Sequence, residues 1–332
     1  MKILVTGATG FIGGYVVEKL VNEGHLVKCL IRETSNLERL EKLKNIDFFF
    51  GDITQKDTLN GIATDVDIVL HLAATGHVSA ISDKALREFT SINEQGTENL
   101  IEECLKNKKI KKFIHFSSTA AMGLIEKQGL IDESDEPQPR TPYQISKRKS
   151  ELKSLSYYYE NNFPVVIVRP CMVYGPRGKG EFLKFCRLMR KGIFPRIGFG
   201  KILTPMVYVE DLANGAVQAM SGARPGEIYI LASEKSFDLN EIRNMIMSTL
   251  NEKKPYLFAP KWAALFGAKL IEILSGFLNK EPIVTYKNIK STIANREFDI
   301  SKAKSDFSYA PNTSLQIGIR NTIDWYKANN LI

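Results

Sequence analysis

The sequence predicts an α/β fold in which a doubly wound parallel sheet is joined to a smaller C-terminal α/β lobe. Two observations predict it. Short apolar runs alternate with stretches of helical periodicity through the first half of the chain, and a glycine-rich turn follows the first apolar run. The 332 residues suffice for one large domain or two smaller ones. We expect the sheet domain over 1–170, with later strands near 205–210 returning to the sheet, and the lobe over 171–332.

Six apolar runs are predicted as the first strands. In order they read KILVTGA, LVKCLIR, NIDFFFGDI, VDIVLHLAA, KKFIHFSST and VVIVRP. The first helix, FIGGYVVEKLVNEG, ends at Gly24, because glycine readily takes the left-handed conformation that terminates a helix. Further helical stretches separate most of the strands. After Arg169 the alternation loosens, and two short strands are predicted in MVYVED and EIYILAS.

The glycine turn is the first indication of a ligand. Gly7, Gly10 and Gly13 stand directly after a strand and open a helix, where glycines allow close approach of a phosphate and the helix N-terminus offers free N–H groups. Thr9, Phe11 and Ile12 lie in the same turn. The alternative is a glycine-rich connection that binds nothing. We expect a dinucleotide here, with the lobe over 171–332 binding mainly the substrate.

The end of the second strand bears on the choice of cofactor. An acidic residue there would bind the adenosine ribose of NAD, but Ile31 and Arg32 occupy these positions. A guanidinium can pair with a 2′-phosphate, so Arg32 favours NADP over NAD. The alternative is an ordinary surface arginine.

Composition and net charge limit the kinds of ligand and partner that we expect this chain to bind. The net charge of +8 and the pI of about 9.1 suit an anionic ligand, and no basic tail or basic stripe with interleaved aromatics points to nucleic acid. Four widely spaced cysteines form no C-x-x-C pair, so we expect no metal site and a reduced, cytoplasmic protein. The apolar N-terminus is broken by glycines almost at once, so we expect no signal peptide.

The apolar segment from Phe258 to Leu278 is interrupted by charges and is too short to span a bilayer. We therefore expect no membrane insertion. Its large apolar residues fall at helical spacing, which predicts an amphipathic helix of the substrate lobe; a membrane-surface helix is the less favoured alternative, because such helices usually carry a strongly cationic face.

Tyr143 and Lys147 form a Tyr-x-x-x-Lys pair on a predicted helix. Thr141 and Gln144 have capping-box spacing and Pro142 falls at the first helical position, so the helix starts at this point. Residues four apart lie on one helix face. A lysine ammonium beside a tyrosine lowers the pKa of the phenol, which suits the proton transfer that accompanies hydride transfer at an oxygen-bearing carbon.

These features occur with other motifs that together are specific. They are GDI from Gly51, HLAA from His71, NEQGTENL from Asn93, FSSTAAMG from Phe116, RPCMVYGPR from Arg169 and VYVEDLA from Val207. With TGATGFIG and YQISK they make the chain resemble the extended short-chain dehydrogenase/reductases, the NAD-dependent epimerase/dehydratase type, over nearly its whole length. The resemblance implies a Rossmann sheet and a homodimer formed through the helix that bears Tyr143.

The resemblance also implies roles for single residues. Ser118, Tyr143 and Lys147 are the expected catalytic set, with the Ser118 hydroxyl placing the substrate oxygen. The expected cofactor-binding residues, besides the glycine turn and Arg32, are Asp52, Ile53, Leu72, Ala73, Ala74, Asn93, Tyr143, Lys147 and Pro170. Asp52 and Ile53 would flank the adenine, and Pro170 would lie near the nicotinamide.

Departures from the family pattern bear on the reaction. Dehydratases carry an acidic pair after the catalytic hydroxyl, whereas Thr119, Ala120 and Ala121 stand here, so dehydration is disfavoured. Met172 replaces a common asparagine, and Thr204–Pro205 replaces an Arg-Asp pair that grips the nucleotide diphosphate.

The stretch 177–201 is rich in Lys and Arg. It includes the candidate substrate residues Arg177 and Arg187, beside Met172. These cations either hold a diphosphate or form a solvated surface.

The leading hypothesis is an NAD(P)-dependent nucleotide-sugar epimerase or ketoreductase acting at a secondary alcohol or ketone. The first alternative is a reductase or dehydrogenase of a hydrophobic substrate, of the hydroxysteroid or dihydroflavonol kind. The second is a non-catalytic NADP(H)-binding protein, which would have no need of Tyr143.

Overall fold

A computed structural model describes residues 1–76, 83–192, 194–251, 257–277, 282 and 284–332. Its main feature is a parallel sheet of seven strands, ordered β11-β6-β5-β4-β1-β2-β3. The strands of this sheet are β1 (Lys2–Thr6), β2 (Leu26–Ile31), β3 (Ile46–Phe50), β4 (Ile68–His71), β5 (Lys112–Phe116), β6 (Val165–Pro170) and β11 (Ile228–Leu231). The strand order reverses between β1 and β4, which is where doubly wound sheets bind ligands.

Eleven α-helices surround the sheet and build the lobe in the described part of the chain. They are α1 (Phe11–Asn22), α2 (Asp83–Glu88), α3 (Gly96–Cys104), α4 (Pro142–Asn161), α5 (Glu181–Arg190), α6 (Val209–Gly222), α7 (Leu239–Leu250), α8 (Lys261–Phe277), α9 (Tyr286–Thr292), α10 (Ser301–Phe307) and α11 (Leu315–Ala328). A π-helical stretch, Phe89–Gln95, joins α2 to α3, and short 3₁₀ turns cover Lys56–Leu59 and Thr119–Met122.

Apolar side chains fill both faces of the sheet, as the prediction of a doubly wound fold requires. On one face, α1, α6 and α10 pack against alternate residues of the strands; on the other, α3 and the region around Phe163 do so. The prediction of a Rossmann-type parallel sheet is confirmed.

A third apolar cluster forms the core of the lobe. It combines side chains of α5, α7 and α11 with residues of the short strands β7 (Met172–Tyr174), β8 (Arg196–Ile197) and β10 (Met206–Tyr208). The remaining short strands, β9 (Leu203–Thr204), β12 (Phe237–Asp238) and β13 (Phe258–Ala259), pair as β9 with β12 and β8 with β13.

The expected return of a strand near 205–210 to the main sheet is wrong in its position. Met206–Tyr208 pairs with Met172–Tyr174 in a separate two-stranded sheet, and the strand that rejoins the main sheet is Ile228–Leu231, beside β6. The two strands differ in the core into which their side chains pack. Tyr229, Ile230 and Leu231 are fully buried between layers of the main core, whereas Met206 and Tyr208 turn into the core of the lobe.

Two further observations limit the chemistry. Within the described residues, no helix is long and apolar enough to cross a membrane, and no group of His, Cys, Asp and Glu side chains is placed to hold a metal ion. All four cysteines are buried free thiols.

Candidate active site

The glycine turn is closely packed in the way a phosphate-binding loop requires. Gly7 has φ +69°, and a Cβ built on Gly13 would lie 2.1 Å from the Gly7 carbonyl oxygen. The Gly10 amide donates to that same oxygen at 2.9 Å. Thr9 and Gly10 are exposed at the tip, and α1 begins at Phe11 with no side-chain cap, so its first N–H groups are left for a ligand. The turn therefore fits the diphosphate of a dinucleotide.

A chain of buried hydrogen bonds fixes the strand ends beside this turn. The Thr97 hydroxyl donates to the Asn93 carbonyl at 2.8 Å, so it accepts from His71 Nε2 at 2.9 Å. His71 Nδ1 then accepts from the Thr6 hydroxyl at 2.7 Å, and Thr6 accepts from the Ala73 amide at 3.1 Å. Burial and the Lys147 charge lower the pKa of His71 to about 3, so the ring stays neutral and holds this tautomer.

Asn93 connects the loop after β4 to α4, the helix that bears Tyr143. Its side-chain oxygen accepts from the Thr75 amide at 2.9 Å, and its Nδ2 donates to the Thr75 carbonyl and to Ser146 Oγ, both at 3.0 Å. Leu72, Ala73 and Ala74 lead into this loop at the carboxyl end of β4. The predicted residues of the dinucleotide path therefore meet at the switch point of the sheet.

Tyr143 lies in the first turn of α4, as the capping pattern predicts. The Thr141 hydroxyl accepts from the Gln144 amide at 3.3 Å, and the Gln144 side chain accepts from the Thr141 amide at 3.1 Å. The Tyr143 ring lies 5.8 Å from the ring of Phe89, and a Cβ on Gly76 would lie 2.9 Å from it. These contacts hold the phenol in one position.

Ser118 lies at the carboxyl end of β5, where it caps the 3₁₀ turn by accepting from the Ala120 amide at 3.1 Å. Burial raises the pKa of Tyr143, and a hydrogen bond with Ser118 opposes this effect. The expected serine–tyrosine pair therefore comes together. Ser117, which precedes Ser118, is buried, and its hydroxyl has no hydrogen-bond partner in the described structure.

Lys147 is 2% exposed and follows Tyr143 by one helical turn. Its Nζ donates to the Phe116 carbonyl at 2.8 Å, which fixes the ammonium beneath the end of β5. Burial lowers its pKa to about 8, and the Glu151 carboxylate opposes this effect. At neutral pH Lys147 is thus still mostly charged.

A buried ion pair behind Lys147 was not predicted from the sequence. Glu151 and Arg169 are both essentially inaccessible, and they bond through two contacts, Nε to Oε1 at 2.8 Å and Nη2 to Oε2 at 2.7 Å. Arg148 adds a third contact to Glu151 at 3.1 Å. Because Arg169 directly precedes Pro170, the pair connects α4 to the carboxyl end of β6. The sequence signal that could have indicated this pair was Glu151, which follows Lys147 by four residues and so lies on the same face of the helix.

The residues expected at the adenine and ribose lie at the ends of β2 and β3. Ile53 is buried against Gly96, and the Asp52 carboxylate accepts from the amide and hydroxyl of Thr54, both at 2.8 Å. Arg32 is exposed, and its amide donates to Ser35 Oγ at 2.9 Å. Pro170 ends β6, directly opposite Leu231.

Another arginine, not predicted, covers the start of α1. Arg39 forms a two-point ion pair with Glu18, at 2.7 and 2.8 Å, and stacks 4.3 Å from the centre of the Tyr15 ring. Its Nη1 would clash with any Cβ at Gly14. The guanidinium therefore sits directly on the first turns of the helix.

The three candidate substrate residues make separate contacts, and these contacts do not bring them together at one site. Met172 is half-buried at the start of β7 and packs on the core of the lobe. Arg177 binds Glu18 of α1 at 3.0 Å, and Arg187 donates from Nε to the Leu331 carbonyl at 3.0 Å. The basic stretch 177–201 is thus spread over separate contacts, and a substrate role for these residues stays a prediction.

Comparisons with known proteins agree with this geometry. The model of a family described as the NAD dependent epimerase/dehydratase family matches residues 3–232. The dTDP-D-glucose 4,6-dehydratase of Homo sapiens is 27% identical over 341 residues, which cover 99% of this chain and 90% of that protein. A trifunctional UDP-glucose 4,6-dehydratase, 3,5-epimerase and reductase of Arabidopsis thaliana is 26% identical, and the chain spans about half of it, 47%.

A solved structure is similar along its whole length. The UDP-glucuronic acid 4-epimerase of Bacillus cereus, in complex with UDP-glucuronic acid and NAD, is 27% identical with a TM-score of 0.79, covering 99% of this chain and 100% of the other. The resemblance inferred from the motifs is therefore confirmed. The matched family model, the glycine turn and the placed Tyr143–Lys147 pair lead to one conclusion: the chain belongs to the NAD dependent epimerase/dehydratase family.

Proposed function

We propose that this chain is an NAD(P)-dependent enzyme that oxidises or reduces a secondary alcohol or ketone of a nucleotide sugar, as an epimerase or a ketoreductase. The observation that carries the proposal is the placement of Ser118, Tyr143 and Lys147 at the carboxyl end of the sheet, with no carboxylate in the 3₁₀ turn that follows Ser118.

The bound nicotinamide would supply the hydride acceptor and donor. The chain's own residues handle the proton. Ser118 orients the substrate oxygen, and Tyr143 takes the hydroxyl proton or returns it to a carbonyl oxygen. The Lys147 ammonium favours the ionised phenol, since an adjacent positive charge lowers the pKa of an acid. The glycine turn and the residues after β4 would hold the cofactor against this set.

Dehydration needs a second acid and base at the neighbouring carbon. Thr119, Ala120 and Ala121 provide neither, although several proteins similar to this chain are dehydratases. The proposal is tested by incubating the protein with UDP- and dTDP-hexoses, and in parallel with the corresponding 4-keto hexoses and NADPH, and following sugar configuration by NMR and NADPH consumption by absorbance. Configuration change without net NADPH consumption identifies an epimerase; stoichiometric consumption identifies a ketoreductase; a 4-keto-6-deoxy product would contradict the proposal.

A reductase of a hydrophobic substrate is the second candidate. It is favoured by Met172 and by Thr204–Pro205, which replace polar anchors for a nucleotide, and by the dispersed contacts of Arg177 and Arg187. Thermal-shift measurements with UDP, dTDP and GDP against a steroid and flavonoid panel separate the two. No stabilisation by any nucleotide would remove the sugar candidate.

A preference for NADP over NAD is part of the proposal. Exposed Arg32, directly after β2, supports it, whereas the similar Bacillus cereus structure holds NAD. Arg32→Ala should lower kcat/KM for NADPH about tenfold and leave that for NADH nearly unchanged, since it removes one charge-assisted contact. Equal losses for both would argue against the preference.

We also propose a homodimer formed through α4. Ile145, Leu152 and Tyr159 are exposed at seven-residue spacing, so they form one stripe on the helix that bears Tyr143. Leu152→Glu/Tyr159→Glu should halve the mass measured by light scattering. The four buried free thiols support a reducing, cytoplasmic location.

A further inference from the structure

Helix α8 exposes its large apolar side chains. Trp262 is 71% exposed, Phe266 68% and Phe277 82%, and Leu270, Ile273 and Leu274 are each about half exposed. Soluble proteins rarely leave such a contiguous apolar surface without a partner. The sequence predicted this helix and its periodicity, but it suggested that the apolar side would face the substrate lobe.

The helix is turned the opposite way. At about 100° per residue, six of the seven exposed large apolar residues of α8 fall within one arc of about 120°, and Ile271, 41% exposed, lies beyond it. Ala268 is the buried residue of α8, and it lies on the opposite side of the helix, with Ala264 packed on the core of the lobe. Small residues therefore face the protein and large ones face outward, the reverse of an ordinary surface helix.

A neighbouring loop extends the exposed surface. Phe199 is 83% exposed, and its ring centre lies 4.6 Å from that of Phe258, which immediately precedes the helix. Strand β13, which contains Phe258, pairs with β8, so the loop is held at the start of α8. The α8 patch consists of Phe199, Trp262, Phe266, Leu270, Ile273, Leu274 and Phe277.

Positive charges border the α8 patch. Lys201 is exposed on the loop that carries Phe199, Lys261 is exposed and lies against Gly198 of that loop, and Lys269 is exposed on the helix. Glu272 is the acidic residue of α8, and Lys269 pairs with it at 3.6 Å. An apolar surface with a basic border matches the chemistry of an anionic lipid surface, in which acyl chains lie beneath negative headgroups.

We propose that the α8 patch binds the surface of an anionic lipid bilayer, with α8 lying in the plane of the interface. A free interfacial helix needs a cationic polar face because that face meets water. The inner face of α8 packs on the protein and does not meet water. It therefore needs no cationic residues, and alanines can occupy it. The helix is about 25 Å long, and lying flat it buries its aromatic tips at headgroup depth without crossing the membrane.

A second copy of the chain fits the patch less well. Two copies meeting through α8 would bring their basic borders together, and like charges across an interface disfavour association. The exposed stripe on α4 lies on a different helix and provides a separate surface for self-association. The proposal does not depend on the substrate or on the reaction.

The test is flotation of the purified full-length chain with vesicles of phosphatidylcholine alone or with about 30% phosphatidylglycerol. The chain should float with the anionic vesicles, and less so at high salt. Trp262→Ser/Phe266→Ser/Phe277→Ser should weaken partitioning at least about tenfold, because it removes three aromatic anchors. The control Leu26→Ser/Ile317→Ser changes exposed apolar residues elsewhere and should float like the wild type.

A second readout keeps the test independent of folding. Trp262 emission should shift to shorter wavelength on addition of anionic vesicles, and Trp262→Phe should abolish the shift while keeping flotation. Failure of the wild type to bind either vesicle would overturn the proposal. So would equal binding by the triple variant, or loss of a larger oligomer in that variant, which would assign the patch to contacts between copies.

Discussion

Replacing Lys147 by methionine should make the protein more stable and inactive. Burial lowers the pKa of Lys147 from 10.5 to about 8, so holding the charged form in the folded state at neutral pH costs roughly 3 kcal/mol, at about 1.4 kcal/mol for each pKa unit. Methionine fills a similar volume without a charge. The Phe116 carbonyl loses its donor, which costs about 1 kcal/mol. We expect Lys147→Met to stabilise the fold by about 2 kcal/mol at neutral pH.

The pH dependence gives the sharper test. Above about pH 8 the folded wild type binds fewer protons at Lys147 than the unfolded chain does, so its stability rises toward pH 10.5 relative to the variant. The advantage of Lys147→Met should therefore shrink across this range. Urea denaturation of both proteins at several pH values measures it. A variant less stable than the wild type at neutral pH, or a difference independent of pH, would refute the reasoning.

Two further predictions concern the support of the site. Glu151→Ala should lower the free energy of unfolding by about 3–5 kcal/mol, because it leaves Arg169 buried without a carboxylate. It should also move the alkaline limb of the pH profile of kcat to lower pH, since Glu151 raises the pKa of Lys147. An unchanged melting temperature would contradict the first part. Gly13→Ala should weaken NAD(P) binding at least about tenfold, because the added Cβ would clash with the Gly7 carbonyl oxygen. The control Gly200→Ala adds a Cβ in open space and should leave binding unchanged. Calorimetry measures the affinity of both variants.

Local patterns predicted the parts of the site that depend on neighbouring residues. The capping box at Thr141 places Tyr143 at the start of its helix, and the glycine turn follows from residues that lie within one strand-turn-helix unit. Both rest on contacts between residues a few positions apart, so the sequence displays them directly.

Features made by distant residues could not be predicted in the same way. The Glu151–Arg169 pair and the link from Thr6 through His71 to Thr97 join separate elements, and each of these residues is also common in ordinary surfaces and cores. Short strands raise the same difficulty, because Met206–Tyr208 and Ile228–Leu231 are equally apolar and only their packing decides which one joins the main sheet.

The direction of α8 is a related case. Periodicity defines an apolar stripe but does not say whether the stripe faces the protein or its surroundings. The small residues opposite the stripe were present in the sequence, and their placement against the lobe shows which way the helix is turned.

The central claim is that Tyr143 transfers the proton at the reacting oxygen. The most direct test compares the wild type with Tyr143→Phe, by mixing each with cofactor and nucleotide sugar and following reduced nicotinamide by absorbance in a single turnover. We expect the variant to bind cofactor with unchanged affinity and to react at least about 10³-fold more slowly, the size of effect typical of a general acid–base group. An equal rate of turnover in the two proteins would contradict the account.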